Sequence, residues 1–294
     1  MKNIWNLVDN SLGQCESAVA GVESTFIKWE KDLRNKKDKI FYCNNLIFKI
    51  RELKTKPQQS YAILFESKAI IPETYKYAHR IVNKFNLFFT HNSELLKYSN
   101  ARWIPGGGVW IGGNYGLGQI KIFEKSKLVS MVSSEKRVCP LHEFRLEVLQ
   151  AVKISSNVDV LGTAVSGWVP IQKSLEDYMF SIVIENFVDD LYFTEKINNC
   201  FATGTIPIYF GARRIDKIYN SEGIIVFNDV SELLTIINKL SKDEYYKRIK
   251  AVKQNHEICK QFISIEDYIF INYLSKKNLN KFNSDPLDFL SDNL

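Results

Sequence analysis

The chain has 294 residues, of which 45% are apolar and 24% charged, a globular composition that excludes a disordered chain. This length fits two compact domains better than one. The net charge of +6 is spread along the sequence and forms no basic tail, so it either mildly favours anionic partners or reflects a lysine-rich surface. Basic residues form no stripe with interleaved aromatic residues, so no nucleic-acid partner is expected.

The sequence indicates neither secretion nor a membrane span. No apolar run approaches the roughly 20 residues that cross a bilayer, and the N-terminal sequence lacks the apolar core of a signal peptide. We therefore predict a cytoplasmic protein, which would meet a membrane only peripherally, at its inner face. Scattered cysteines without a C-x-x-C pair predict reduced thiols and no metal site. These cysteines are Cys15, Cys43, Cys139, Cys200 and Cys259.

Short apolar runs and helical segments alternate in the first half of the chain. Residues 1–38 predict an irregular or helical start that ends in a charged stretch. Strands are predicted over 39–42, 61–65 and 85–90, and helical segments over 72–84 and 93–97. The glycine-rich residues 104–118 match neither common phosphate-loop motif, so we interpret them as a flexible segment between domains.

The second half alternates strand and helix more regularly, which is typical of βαβ units on a parallel sheet. Strands are predicted over 128–132, 158–161, 180–184, 206–210 and 224–227, with helices after Pro140 and from Thr194 and Ser231. We predict an α/β fold with one domain over 1–120, a second over 121–270 and a C-terminal segment over 271–294.

Polar clusters follow three of the predicted strands. They are Glu66 with Ser67, residues 133–137, and Glu185 with Asn186. Ligands of open parallel sheets bind at the carboxyl ends of the strands. The sequence therefore predicts a site at these ends, in a cleft between the two domains.

The strongest cluster lies in residues 180–212. Thr194 can cap a helix that begins at Glu195 and Lys196. The free N–H groups and positive dipole end of such a helix suit a phosphate, and Lys196 can add an ammonium group. Glu195 can accept hydrogen bonds from ribose hydroxyls. The alternative is an ordinary capped helix with Lys196 in solvent.

This segment resembles the donor-binding signature of the α-1,3-fucosyltransferase family, glycosyltransferase family 10. The matching residues are Phe180, Glu185, Asn186, Tyr192 to Lys196, Gly204 to Ile208, and Gly211. Phe193 stands where valine is usual, a small departure. The resemblance covers about residues 126–250 and is fainter over 60–105.

The resemblance implies a GT-B architecture, in which two Rossmann-like domains face a cleft, with the first domain on the acceptor side and the second binding the donor. It implies a GDP-activated sugar, usually GDP-fucose, and inversion at the anomeric carbon without an essential metal or other cofactor. The resemblance also implies that Glu195 binds the ribose and that Lys196 binds the phosphates. Glu185, Asn186, Tyr192 and Thr194 complete the donor set. The resemblance does not identify the acceptor beyond a hydroxyl of a glycan, because the acceptor half departs widely from the family pattern. Surface polysaccharide assembly is the expected setting of the enzyme.

Inverting transfer needs a base for the acceptor hydroxyl and positive charge for the leaving diphosphate. Glu66 is the candidate base, because the family's base lies at a comparable strand end; the alternative is a surface glutamate. Arg145 and Arg137 are candidate cationic helpers, since guanidinium groups fork onto phosphate oxygens. Each could instead be an ordinary surface arginine.

Other polar and aromatic residues are interpreted as structural. Asp189 and Asp190 form no D-x-D metal motif and are predicted to lie in a solvated loop. The histidines have no ligand spacing. Trp103 and Trp110 are expected to pack around the glycine segment, and the alternative is that they stack on a sugar. Two other functions stay open: the same fold with another nucleotide sugar, and a non-catalytic protein that binds a nucleotide or carbohydrate. The sequence carries no signal for an oligomeric state.

Overall fold

A computed structural model describes residues 2–9, 21–113, 118–154 and 157–275, which form two parallel β-sheets with helices around them. The first sheet has the strand order β2-β1-β3-β4-β5-β6. Its strands are β1 (Asn3–Val8), β2 (Ile27–Glu30), β3 (Ile40–Cys43), β4 (Ser60–Leu64), β5 (Leu87–Thr90) and β6 (Ala101–Trp103). The second sheet has the order β11-β10-β9-β7-β8. Its strands are β7 (Lys127–Val132), β8 (Val158–Leu161), β9 (Tyr178–Ile184), β10 (Ile206–Phe210) and β11 (Ile225–Val226).

Two helices of the second half connect successive parallel strands, as the sequence predicts. Helix α3 (Pro140–Lys153) lies between β7 and β8, and α4 (Glu195–Thr203) lies between β9 and β10. The other described α-helices are α1 (Ile50–Leu53), α2 (Pro72–Ala78), α5 (Val230–Lys239), α6 (Lys242–Lys247), α7 (Ile249–Cys259) and α8 (Ile265–Ile269). The two sheets lie on either side of the predicted division at residue 120, whose position stays a prediction.

The prediction of an irregular or helical start is wrong, because β1 and β2 extend the first sheet by two strands. Strand β1 pairs with both β2 and β3, so it lies inside the sheet. Its sequence hides this position, since Asn6 interrupts an apolar run yet is fully buried. The Asn6 side chain donates to the Glu30 and Asp32 carbonyls, both at 3.2 Å, and accepts the Lys37 N–H at 2.6 Å. These bonds satisfy a buried polar group and hold the charged loop after β2.

The glycine-rich segment is also not the flexible linker that the sequence predicts. Residues 104–109 are buried, whereas 114–117 lie outside the described residues. A Cβ atom added to Gly107 would lie 2.9 Å from the backbone nitrogen of Glu195, so only glycine allows this close approach to the start of α4. The described part of this segment is therefore a packed connection between the sheets.

Two buried asparagines on α4 hold this segment in place. Asn198 donates from its side-chain nitrogen to the carbonyls of Gly107 and Gly108, at 3.0 and 3.1 Å. The side-chain oxygen of Asn199 accepts the backbone N–H of Trp110 at 2.9 Å. The loop that leaves the first sheet is thus fastened to α4 of the second half.

The end of the described chain returns to the first sheet. The Tyr273 hydroxyl donates to the carbonyl of Trp103 at 2.7 Å, and the rings of Trp103 and Tyr268 meet edge to face at 5.8 Å. At the start of α8, the Asp267 carboxylate accepts the Thr25 N–H at 2.9 Å. The largest hydrophobic cluster consequently contains residues of both sheets and of this C-terminal return.

None of the helices within the described ranges combines the length and apolar character needed to cross a bilayer.

The hydrogen bonds of Asn198 and Asn199 to residues 107–110, here called the asparagine clamp, lead to a prediction about stability. Replacing Asn198 with alanine leaves the carbonyls of Gly107 and Gly108 and the hydroxyl of Tyr219, which donates to Asn198 at 2.7 Å, without their partner. We expect the free energy of unfolding in urea to fall by about 1–3 kcal/mol, the cost of buried unpaired polar groups. Asn238→Ala, at an exposed position of α5, should change it by less than about 0.5 kcal/mol. Equal values for the two variants would contradict the clamp.

Candidate active site

A cavity opens at the carboxyl ends of β7 and β9. These two strands are neighbours, yet β8 precedes β9 in the chain and lies on the far side of β7, so the strand order reverses here. Such a reversal leaves a crevice where ligands of parallel sheets bind. The cavity has a volume of about 430 Å³, which suits a ligand of nucleotide size. Its lining includes Ser133, Arg145, Thr163, Trp168, Val183, Glu195 and Lys196.

A buried carboxylate joins the end of β9 to the start of α4. Glu185 is 1% exposed, and it accepts the Thr194 N–H at 2.9 Å and the Thr194 hydroxyl at 2.7 Å. The Thr194 hydroxyl oxygen in turn accepts the backbone N–H of Lys196 and caps the helix, as predicted. The strand end and the first helical turn are therefore one hydrogen-bonded unit.

The Lys196 ammonium lies among oxygen atoms rather than in free solvent. Its Nζ is 3.1 Å from the Thr194 hydroxyl, 3.3 Å from a Glu195 oxygen and 3.4 Å from a Glu185 oxygen. Burial alone would lower the pKa of Lys196, but the carboxylates of Glu195 and Glu185 outweigh burial and raise it. Lys196 is thus a permanent cation that lines the cavity. The alternative of a solvated Lys196 does not describe this environment.

Burial raises the pKa of the Glu185 carboxyl, which lies below Lys196. The charge of Lys196 opposes this rise, and the carboxylate of Glu195 adds to it. Because Thr194 and Lys196 supply three donors to it, Glu185 is bound on the protein side of the site. It holds the site together from beneath rather than facing the cavity, whose lining it does not join.

The two arginine candidates differ in position. Arg145 is buried and lines the cavity, where its Nη2 donates to the carbonyl and the hydroxyl of Ser134, both at 3.1 Å. Its Nε is buried without a partner. Arg137 is exposed and forms an ion pair with Glu143, away from the cavity lining. Lys136 lines the cavity in its place, although the sequence marked it only as part of a polar cluster.

Asn186 and Tyr192 lie beside the cavity rather than in its wall. The Asn186 side-chain oxygen is 3.1 Å from His142 Nε2. Since His142 Nδ1 accepts the Val138 N–H at 3.0 Å, the hydrogen-bond network assigns the proton to Nε2. Tyr192 is buried, with its ring centroid 4.5 Å from that of His91. The roles of both residues in donor binding stay predictions.

Glu66 follows β4 in the first sheet and is half-buried. Burial raises its pKa, and so does the carboxylate of Glu195, while Lys196 and Lys136 act in the opposite direction. Glu66 therefore senses the charges of Glu195 and Lys196 although it belongs to the other sheet, and it does not join the cavity lining. Its pKa lies above the ordinary glutamate value, as suits a carboxylate that must take a proton.

The acidic pair after β9 is not simply a solvated loop. Asp189 accepts the Ser93 hydroxyl at 3.0 Å and lies 3.5 Å from the Asn92 side-chain nitrogen, so it links the second sheet to the first. Asp190 forms a more exposed ion pair with Arg213 at 3.3 Å. Over the described ranges, no three His, Cys, Asp or Glu side chains converge as a metal site would require.

Two tryptophans lie in the cavity wall. Trp110, for which sugar stacking was the alternative to packing, lines the cavity, and so does Trp168, which is 70% exposed and which sequence reasoning missed. A lone tryptophan in an irregular stretch gives little sequence signal. The exposure of Trp168 beside a cavity is the feature that marks it, and that feature needs a structure.

The family of the chain follows from its second half. Residues 122–269, half of the chain, match the model of glycosyltransferase family 10 (fucosyltransferase) C-term. A GDP-fucose protein O-fucosyltransferase 3 of Xenopus tropicalis is 38% identical over 74 residues, 24% of this chain and 16% of that protein. An alpha-(1,4)-fucosyltransferase of Arabidopsis thaliana is 30% identical over 73 residues, 24% of this chain and 18% of that protein. The matched stretch is thus less than a fifth of either relative.

Solved structures share the fold. An alpha1,3-fucosyltransferase crystal structure aligns with a TM-score of 0.51 at 14% identity, covering 81% of each chain. The TarM crystal structure aligns with a TM-score of 0.52 at 15% identity, covering 84% of this chain and 56% of TarM. The predicted GT-B architecture of two Rossmann-like domains is confirmed. Together with the family match over half of its length, this shows that the chain belongs to glycosyltransferase family 10, the fucosyltransferases.

Proposed function

We propose that this protein is an inverting glycosyltransferase that moves a sugar, fucose from GDP-fucose, to a hydroxyl of a glycan acceptor. One observation carries the proposal: a capped helix start with a fixed cation lines a nucleotide-sized cavity, and a carboxylate from the other sheet lies within electrostatic reach of it. Family membership supports the same reaction.

The donor would bind with its diphosphate at the start of α4. The positive dipole end of α4 and the ammonium of Lys196 attract the phosphate oxygens. Glu195 now neutralises Lys196, at 3.3 Å. A bound diphosphate would take over this contact and leave the Glu195 carboxylate to accept from the ribose hydroxyls. Arg145, with its unpartnered Nε, is a further cation on the cavity wall, as is Lys136.

The transfer step would use Glu66 as the base. The acceptor hydroxyl loses its proton to the Glu66 carboxylate while its oxygen forms a bond to the anomeric carbon. The bond from that carbon to the diphosphate oxygen breaks, and GDP leaves with the bonding electron pair. Attack from the side opposite the leaving group inverts the anomeric centre. Lys196, Arg145 and the helix start stabilise the charge that develops on the diphosphate.

The first prediction concerns the donor nucleotide. Because the positive charge at the site comes from side chains and a helix start, we expect GDP to bind with unchanged affinity in EDTA. Isothermal titration calorimetry with GDP, UDP, CDP and ADP, each with and without EDTA, measures this. Thermal unfolding gives a second reading, since a ligand at 100 times its Kd stabilises by about 2.7 kcal/mol. Metal-dependent UDP binding without GDP binding would contradict the proposed donor.

The second prediction concerns Lys196. We expect Lys196→Ala to weaken GDP binding and to lower the turnover of GDP-fucose about a hundredfold or more, because the ammonium that stabilises the leaving diphosphate is lost. GDP affinity and GDP release are the measurements. Lys239→Ala, at an exposed position near the end of α5, is the matched control and should behave like the parent. Parental kinetics of Lys196→Ala would show that the motif is only a capped helix.

The third prediction concerns Glu66. Glu66→Gln keeps the shape of the side chain but cannot take a proton, so GDP affinity should persist while transfer falls about 10²–10⁴-fold. In the parent the base must be deprotonated, so the rate should rise with pH through the raised pKa of Glu66. This acidic limb should vanish in the variant. Glu94→Gln, at an exposed carboxylate in the loop after β5, is the control. Undiminished transfer by Glu66→Gln would require another base.

A further inference from the structure

The turn that carries Glu66 is held by side chains from three other elements. Asn44 follows β3, Tyr75 lies on α2 and His91 follows β5. Strands β3 and β5 are the two neighbours of β4, so Asn44 and His91 lie on opposite sides of the end of β4. All three residues are buried, at 3%, 8% and 0% exposure.

Asn44 fixes the N–H groups of the turn. Its side-chain oxygen accepts the backbone N–H groups of both Phe65 and Glu66, each at 3.2 Å. Asn44 itself has a φ of +48°, the left-handed region that non-glycine residues rarely adopt. Asparagine tolerates this region better than most residues, and its side chain supplies the acceptor that glycine would lack. Asn44 therefore both adopts the left-handed backbone conformation and supplies the acceptor for the two N–H groups.

Tyr75 and His91 fix the carbonyl of Glu66. The Tyr75 hydroxyl donates to it at 2.6 Å. His91 Nε2 lies 3.1 Å from the Tyr75 hydroxyl and 3.4 Å from the same carbonyl. Because the single hydroxyl proton goes to the carbonyl, Nε2 must carry the proton that the hydroxyl oxygen accepts. A chain of hydrogen bonds therefore runs from His91 through Tyr75 to Glu66.

Neither donor in this chain titrates near neutral pH. Burial lowers the pKa of His91 to about 4 and raises that of Tyr75 well above its ordinary value. Both remain neutral at the pH where Glu66 would act as a base. They can hold its backbone without competing for the acceptor's proton.

The donor side reaches the same group of residues. The His91 ring packs on Tyr192 of the donor motif, and Asp189 binds Ser93 at 3.0 Å, two residues after His91. The Glu66 turn is thus placed relative to the second sheet as well as within the first.

We infer that Asn44, Tyr75 and His91 are positioning residues that set the place of the Glu66 carboxylate against the donor cavity. This inference rests on the proposed role of Glu66. None of the three is a catalytic residue, since each acts on the Glu66 backbone through its N–H or carbonyl group. The reaction rate depends strongly on how accurately a reacting group is placed against its partner. A displacement of about 1 Å can lower the rate about a hundredfold.

The test compares Tyr75→Phe with Tyr42→Phe. Both remove one hydroxyl from a buried tyrosine of the first domain, but the Tyr42 hydroxyl bonds to Thr55, by the amino end of β4. GDP release from GDP-fucose is measured with a panel of disaccharides as acceptors and with water alone. We expect Tyr75→Phe to lower kcat about tenfold to a hundredfold with GDP affinity and donor KM unchanged. Tyr42→Phe should keep the parental kcat.

A double-mutant cycle shows whether the effect passes through Glu66. Adding Tyr75→Phe to Glu66→Gln should lower the rate no further, because the base that Tyr75 positions is already lost. Asn44→Gly is a second variant, since it relieves the left-handed strain while deleting the acceptor, and it should lose kcat in the same way.

The outcomes separate the two claims. A parental rate for Glu66→Gln contradicts Glu66 as the base and, with it, the positioning role. A normal loss in Glu66→Gln but parental kcat in Tyr75→Phe and Asn44→Gly overturns the positioning role alone. An equal loss in Tyr42→Phe, or an additive loss in the double variant, also overturns it.

Discussion

The rest of the site depends on the burial of one carboxylate, that of Glu185. A buried carboxylate must be paired or protonated, and here one threonine and one lysine surround it. This requirement fixes the cap of α4, the direction of its first turn and the place of the Lys196 ammonium. The cation is therefore set by the protein before any ligand arrives, which limits the reorganisation that ligand binding demands.

A second constraint acts between the sheets. The first turns of α4 touch the glycine segment so closely that a side chain at residue 107 would collide with its backbone, and Asn198 binds the same segment from the helix. The donor motif is thus built against the exit of the first sheet and not only against its own sheet. Small relative movements of the two sheets would have to break these bonds. A cleft assembled this way is largely formed in the free protein.

Local signals in the sequence predict a good part of this structure. Apolar runs of strand length and the Thr194 cap place the second sheet and the start of α4 within a residue or two. Non-local contacts are what the sequence hides. Strand β1 is masked by Asn6, whose partners lie 24 to 31 residues away, and the packing of the glycine segment depends on Asn198, 91 residues from Gly107. Arg145 and Arg137 look alike in sequence and separate only by burial.

The return of the chain to the first sheet after α7 makes the second sheet a topological insertion within the first domain. The core around Trp103 cannot close until Tyr268 and Tyr273 have been synthesised, since both pack or bond there. Such pairing between distant parts of the sequence slows folding. During synthesis the first domain would therefore remain incomplete until the residues after α7 have been added.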